Sequence, residues 1–151
     1  MARLGLSLNE AKTSLRDARR ERFDFLGYTF GPHRHRKDGR WYLGASPSRK
    51  SVQRVKDRVV ELLVPRNTGS WPEVRDQLNR LLRGWSSYFS HGTRQAAHRA
   101  IDAHVHTRVR RFLARRHKLP GRGTRRFSRA VVFGELGVLS LATSIRRGAL
   151  T

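Results

Sequence analysis

The stretch from Ser70 to Phe89 constrains this chain more than any other. Wound as a helix, Val74, Leu78, Leu81, Leu82, Trp85, Tyr88 and Phe89 fall within an arc of roughly 120°. A face that apolar is costly in water, so it demands apolar partners elsewhere in the chain. Ser70-Trp71-Pro72-Glu73 stands before it as a capping box. There the serine hydroxyl accepts the Glu73 amide, and the glutamate reaches back to the serine amide. Proline just inside the start suits a first turn whose amides have no intrahelical acceptor. Gly84 lies beside the apolar arc. Glycine in a helix costs about 1 kcal/mol relative to alanine, so a close approach by a neighbouring element is expected there.

Two further helices are predicted to supply the partners. From Ser48 onward, Val52, Val55, Val59, Leu62 and Leu63 share one face, with Pro65 and Gly69 ending the run. A third helix is predicted from about Thr93 to His117, stopped by Pro120 and Gly121. Ile101, Val105, Val109 and Phe112 form its packing side. Arg108, Arg110, Arg111, Arg115 and Lys118 occupy an arc of roughly 160° beginning at the edge of that side.

Before Ser48 the period is that of strands. Leu4, Leu6 and Leu8 alternate with small residues, and Arg22 to Phe30 reads as a second strand carrying Phe23, Phe25 and Tyr28. Trp41-Tyr42-Leu43 follows a polar stretch ending Asp38-Gly39, which predicts a hairpin with an extended basic loop. After the flexible Gly121-Arg122-Gly123, residues 130–133 and 138–141 read equally as short strands or a short helix. The expected fold class is α+β. A β-hairpin region at 1–47 precedes a three-helix bundle at 48–120 and a short, irregular, basic segment at 121–151.

Charge sets the function classes. The 151 residues hold 33 Lys+Arg against 11 Asp+Glu, a net charge of +22, and 28 of the cations are arginine. Arginine grips phosphate bidentately and stacks on bases. After Asp102 no acid appears until Glu135, and ten cations stand between them. Solvated helix faces usually mix both signs, so a one-sign window points to a polyanion, with nucleic acid ahead of anionic membrane. The candidate contacts are Arg49, Lys50 and Arg54 on the first helix; Arg108, Arg110, Arg111, Arg115, Arg116 and Lys118 on the third; and Arg125 and Arg126 beyond it. With no cysteine, a disulfide framework and Cys-based zinc sites are excluded. No apolar run approaches the roughly 20 residues of a membrane span, and no leader pattern opens the chain. A soluble, intracellular protein is therefore expected.

Catalytic groupings are not found in the sequence. Asp57 and Glu61, four apart among Arg54 and Arg58, read as ion-pair partners rather than a general acid and base. No carboxylates cluster to hold Mg²⁺. His104 and His106 are two apart on a helix and diverge, while His33 and His35 lie in a basic loop suited to phosphate. Ser46, Ser48 and Ser51 have no adjacent base, and Gly121-x-Gly123 lacks the context of a phosphate cradle. No metal and no cofactor are expected.

Three motifs nevertheless resemble a known family. Leu4-Gly-Leu-Ser-Leu-Asn-Glu-Ala-Lys12-Thr13 and Phe23-Asp-Phe-Leu-Gly-Tyr28 resemble the end of a reverse-transcriptase palm. Leu78-Asn-Arg-Leu-Leu-Arg-Gly84-Trp85-Ser-Ser-Tyr88-Phe89 resembles the core motif of the maturase-specific domain X, the thumb of group II intron-encoded reverse transcriptases. The resemblance covers nearly the whole chain. It implies that Lys12 lies near the incoming nucleotide, and that Phe25, Leu26, Gly27 and Tyr28 belong to a primer-grip-like hairpin. The helices would grip template–primer duplex or intron RNA during splicing. It also implies that Leu78, Leu82, Gly84, Trp85, Tyr88 and Phe89 build the thumb core.

The departures from the family matter as well. The Tyr-x-Asp-Asp turn, the fingers and the cysteine-rich zinc endonuclease are not in this sequence. The resemblance therefore implies the C-terminal third of a reverse transcriptase, with no polymerase activity of its own, in a bacterial cytoplasm. Two alternatives remain open: one piece of a split enzyme whose fingers and palm come from a separate polypeptide, and a generic basic structural RNA-binding protein.

Overall fold

The structure is a computed structural model and describes residues 22–34, 37–90, 92 and 94–143. The Leu4–Leu6–Leu8 alternation, Lys12 and His35 lie outside them. It is α+β, with a small antiparallel sheet followed by helices. The strand expected over 22–30 is two strands, β1 (Phe23–Phe25) and β2 (Tyr28–Arg34). They pair antiparallel with Phe25 opposite Tyr28. The connection is the two residues Leu26 and Gly27, with φ of 52° and 82°. Positive φ at both positions follows the right-handed twist of the flanking strands, and asparagine or glycine favours it. Leucine at the first position gives no such signal, which is why alternation alone runs straight through it. Strand β3 (Trp41–Pro47) pairs with β2 from Arg34 opposite Trp41 to Tyr28 opposite Pro47, and the sheet order is β1-β2-β3.

Leu26 holds this left-handed conformation with its side chain 68% exposed, so it gains little from packing. Leu26→Asn is therefore expected to stabilise the protein by about 0.5–1 kcal/mol, read as a rise in the denaturant midpoint. A fall in the midpoint would show that the leucine side chain is needed at the turn.

Three helices follow. The first, α1 (Arg49–Leu62), is capped by Ser48, whose Oγ accepts the Ser51 amide at 3.1 Å. The second, α2 (Trp71–Tyr88), begins with the expected capping box. The Glu73 amide donates to Ser70 Oγ at 3.4 Å, and the Ser70 amide donates to Glu73 Oε2 at 3.2 Å. The third, α3 (Gln95–Arg116), stops earlier than Pro120. Lys118 takes the left-handed conformation with φ 52°. Its amide donates to the Arg115 carbonyl at 3.2 Å, and that of Leu119 to the Ala114 carbonyl at 2.9 Å. This is a Schellman cap with lysine where glycine is usual.

Val55, Val59, Val74, Leu78, Leu82, Ile101, Val105 and Val109 are buried where the helices meet. The chain after Pro120 completes the same core with Phe127, Val132, Val138 and Leu141. Residues Val131–Glu135 form a single wide π-helical turn, and no described residue after Pro120 is in a strand. Helix α2 reads the backbone of this segment directly. Asn79 Nδ2 donates to the Gly137 carbonyl at 2.9 Å, Asn79 Oδ1 accepts the Leu139 amide at 2.8 Å, and Trp71 Nε1 donates to the Leu136 carbonyl at 3.2 Å.

Two expectations for the core of α2 are corrected. Gly84 is exposed, and nothing among the described residues lies within 4 Å of where its Cβ would be, so no described element approaches it. Tyr88 is 60% exposed. Leu78, Leu82 and Phe89 are buried. Trp85 is half-buried and donates its Nε1 proton to the Ser51 carbonyl at 3.3 Å.

Candidate nucleic-acid interface

The turn at Leu26-Gly27 is fastened to the helices. The Gly27 carbonyl accepts the Ser48 amide at 2.8 Å and the Ser51 hydroxyl at 2.8 Å. Tyr28 donates its hydroxyl proton to the Tyr88 carbonyl at 3.0 Å, and Tyr88 donates in return to the Leu26 carbonyl at 3.3 Å. A Cβ on Gly27 would stand 2.9 Å from Ser51 Oγ and 3.1 Å from the Phe89 ring. The turn therefore needs glycine both for φ and for contact. The primer-grip-like quartet thus sits at the junction of β1, β2, α1 and α2, with Phe25 half-buried on β1. Beside it opens a cleft of about 1000 Å³ lined from α1 and α2. Arg54, Arg58 and Arg80 stand there with Asp57 and Glu61, and Gly84 is part of its wall.

The cations of α3 form a separate group. Arg108, Arg111, Arg115 and Arg116 line a hollow of about 540 Å³ against the loop before α2. Arg116 is committed to the fold: its two terminal nitrogens donate to the carbonyls of Gly69 at 2.8 Å and Asn67 at 2.7 Å. Its guanidinium carbon lies 4.5 Å from the centre of the Phe112 ring. Arg110 is half-buried, and its Nε has no hydrogen-bond partner among the described residues. Arg111, Arg115 and Lys118 are exposed, and no acid among the described residues pairs with them. Arg125 and Arg126 are exposed on the following loop, Arg126 lying 5.7 Å from the Phe127 ring centre. Arg49 and Lys50 are exposed at the start of α1.

The structure thus separates the sequence-derived cations. Arg54 faces the α1–α2 cleft, the α3 residues share a hollow, and Arg49 lines a further depression with Lys56 and His33. Arg58 and Arg80 join Arg54 without being in the sequence-derived set. Helical spacing finds Arg58 one turn from Arg54. Only the packing of α2 on α1 places Arg80 across from them.

The family model described as group II intron, maturase-specific domain matches residues 52–130. That span is just over half of the chain and contains α2 and α3 entire and nearly all of α1. The chain belongs to that family. A comparison with curated proteins finds no match. The matched domain is the maturase-specific one rather than the polymerase catalytic core, and the chain has a group II intron maturase-related role. Among the described residues no helix is long and apolar enough to cross a membrane.

Three histidines of the maturase-specific domain, His98, His104 and His106, serve its packing. His104 Nε2 lies 3.3 Å from the Lys56 carbonyl, and His106 Nε2 lies 3.0 Å from the Phe127 carbonyl, so the pair diverges toward different elements. His98 is fully buried beside Trp85, with ring centres 5.7 Å apart. Burial holds its imidazole below the ordinary value, and Arg94 pushes the same way, against the Leu141 carbonyl and Asp102. Burial likewise lowers His104, with Arg108 and Lys56 adding to the effect and the Lys56 carbonyl and Asp57 opposing it.

A depressed imidazole binds fewer protons folded than unfolded. Stability is then complete above the unfolded value of 6.5 and declines as pH falls below it. The thermal midpoint is expected to drop between about pH 7.5 and about pH 5.5, by an amount that His98→Gln reduces. A flat or rising profile on acidification would contradict the burial of a neutral His98.

Proposed function

We propose that this chain is an RNA-binding maturase domain that grips group II intron RNA and assists splicing. The observation that carries the reading is the run of cations on α3 and the loop after it, with no acidic partner among the described residues, standing outside a packed apolar bundle. Guanidinium groups in that arrangement contact phosphates and register RNA by shape and charge rather than by base sequence. The family match supports group II intron RNA as the kind of RNA. In this reading residues 1–47 are the end of a palm, 48–120 the thumb bundle and 121–151 its basic extension. The chain performs no polymerisation by itself.

The test is filter binding of the chain to group II intron RNA and to tRNA at two salt concentrations. Tighter binding to the intron at both is expected. Equal affinity for the two RNAs would replace the maturase reading with that of a generic basic RNA-binding protein.

A further inference from the structure

The hollow beside α3 differs from an ordinary basic face in being concave and in having a rigid wall. The loop that closes it is tied down within itself. Asn67 Nδ2 donates to the Leu62 carbonyl at 2.8 Å, and Asn67 Oδ1 accepts the Gly69 amide at 3.1 Å. Arg116 clamps the same loop through two carbonyls. Its guanidinium is thereby immobilised over Phe112, 4.5 Å from the ring centre, and both residues line the hollow. Around the rim, Arg108, Arg111 and Arg115 recur at three- and four-residue spacing, so all three point from one side of α3. No carboxylate among the described residues lines the hollow.

Three features define what fits. A volume of about 540 Å³ exceeds a lone phosphate and is far too small for a duplex. Leu63, Pro65 and Phe112 give it an apolar lining beneath the cationic rim. A fixed guanidinium plane is a stacking partner for a base, and free guanidinium groups above it are partners for the attached phosphate. Resting on the reading of this chain as an RNA-binding domain, we propose that the hollow receives one unpaired nucleotide, extruded from a bulge or loop of the RNA. The base enters against Arg116, and its phosphate is held by Arg108, Arg111 and Arg115. Electrostatic contact along α3 then supplies attraction to any RNA, while the hollow selects RNA in which a nucleotide is already out of the stack.

The experiment compares two RNA hairpins of equal length, one fully paired and one with a single-nucleotide bulge carrying 2-aminopurine, titrated with the full chain. The bulged hairpin is expected to bind about tenfold more tightly, with a change in 2-aminopurine emission on binding. Thr68→Phe fills the hollow from its exposed loop without removing a charge, and Arg111→Ala removes a rim contact. Both are expected to bring the bulged-to-paired ratio toward one while circular dichroism shows the helices intact. Equal binding of the two hairpins with unmoved emission would overturn the proposal and leave general RNA binding standing. A preference that survives Thr68→Phe would place bulge recognition elsewhere and overturn it too. An abasic bulge that binds as tightly as the base-bearing one would reduce the hollow to a phosphate contact, again overturning it. Failure of both hairpins to bind at low salt would remove the RNA-binding reading beneath it.

Discussion

Raising the salt from about 50 to about 200 mM is expected to weaken intron RNA binding by about a thousandfold, the loss that corresponds to about six neutralised phosphates. The structure indicates which side chains set the slope. Arg108, Arg111 and Arg115 have no acidic partner among the described residues, so nothing within the described fold competes for their charge. Replacing all three by alanine is expected to lower the slope of log affinity against log salt by about two to three. Arg110 is left out, because its Nε is buried, with no hydrogen-bond partner among the described residues. Arg116→Ala is expected to behave differently. It releases the carbonyls of Gly69 and Asn67 and so lowers stability more than it changes the slope. An unchanged slope in the triple variant, with helix content preserved, would take α3 out of the interface.

Asp102→Ala is expected to destabilise the protein by about 3 kcal/mol. The carboxylate is 1% exposed on α3. Its Oδ1 accepts the Leu141 amide at 2.9 Å. Its Oδ2 accepts the Ala142 amide at 3.2 Å and the Ser140 hydroxyl at 2.8 Å. Removing it orphans donors that the fold buries and frees the segment that inserts Val138 and Leu141 into the core. Asp102→Asn keeps one acceptor oxygen and is expected to lose about half as much. Urea unfolding measures both effects, and hydrogen exchange at Leu141 and Ala142 reports the local release. A loss below about 1 kcal/mol for the alanine variant would mean that the carboxylate does not hold this segment.

Signals contained within a few residues are realised in the fold. The Ser70–Glu73 box needs only its own four residues, and it is present atom for atom. Asp38-Gly39 marks the β2–β3 hairpin for the same reason. What failed depended on partners distant in sequence. Gly84 carries no trace of whether anything packs on it, and Tyr88 falls in the apolar arc while its ring stays in solvent. The third helix was only half legible. Its stripe of Ile101, Val105, Val109 and Phe112 is buried, but Leu113 beside the stripe and Ala114 away from it are buried as well. Ala114 carries the Schellman carbonyl that turns the chain toward Phe127, so the covering segment is supplied by the fold itself.

The candidate interface divides along the same line. The one-sign run from Arg108 to Arg129 is a property of sequence, because net charge does not depend on where the chain goes. The membership of each surface is a property of packing. Arg116 and Arg111 are five residues apart on one helix, yet one is bound to two carbonyls and the other is exposed with no side-chain partner among the described residues.

The sequence by itself determined three helices after a β region, the helix starts, the polyanion-seeking charge and the family motif in α2. Each follows from local periodicity, local hydrogen-bonding chemistry or a sum over residues. Only the tertiary structure decided that Leu26-Gly27 turns and locks onto α1 and α2, that the segment after Pro120 belongs to the core, and that some arginines support the fold while others remain available. The reason is that burial and hydrogen-bond partnership are relations between residues far apart in the chain, and they come into being only when the helices pack.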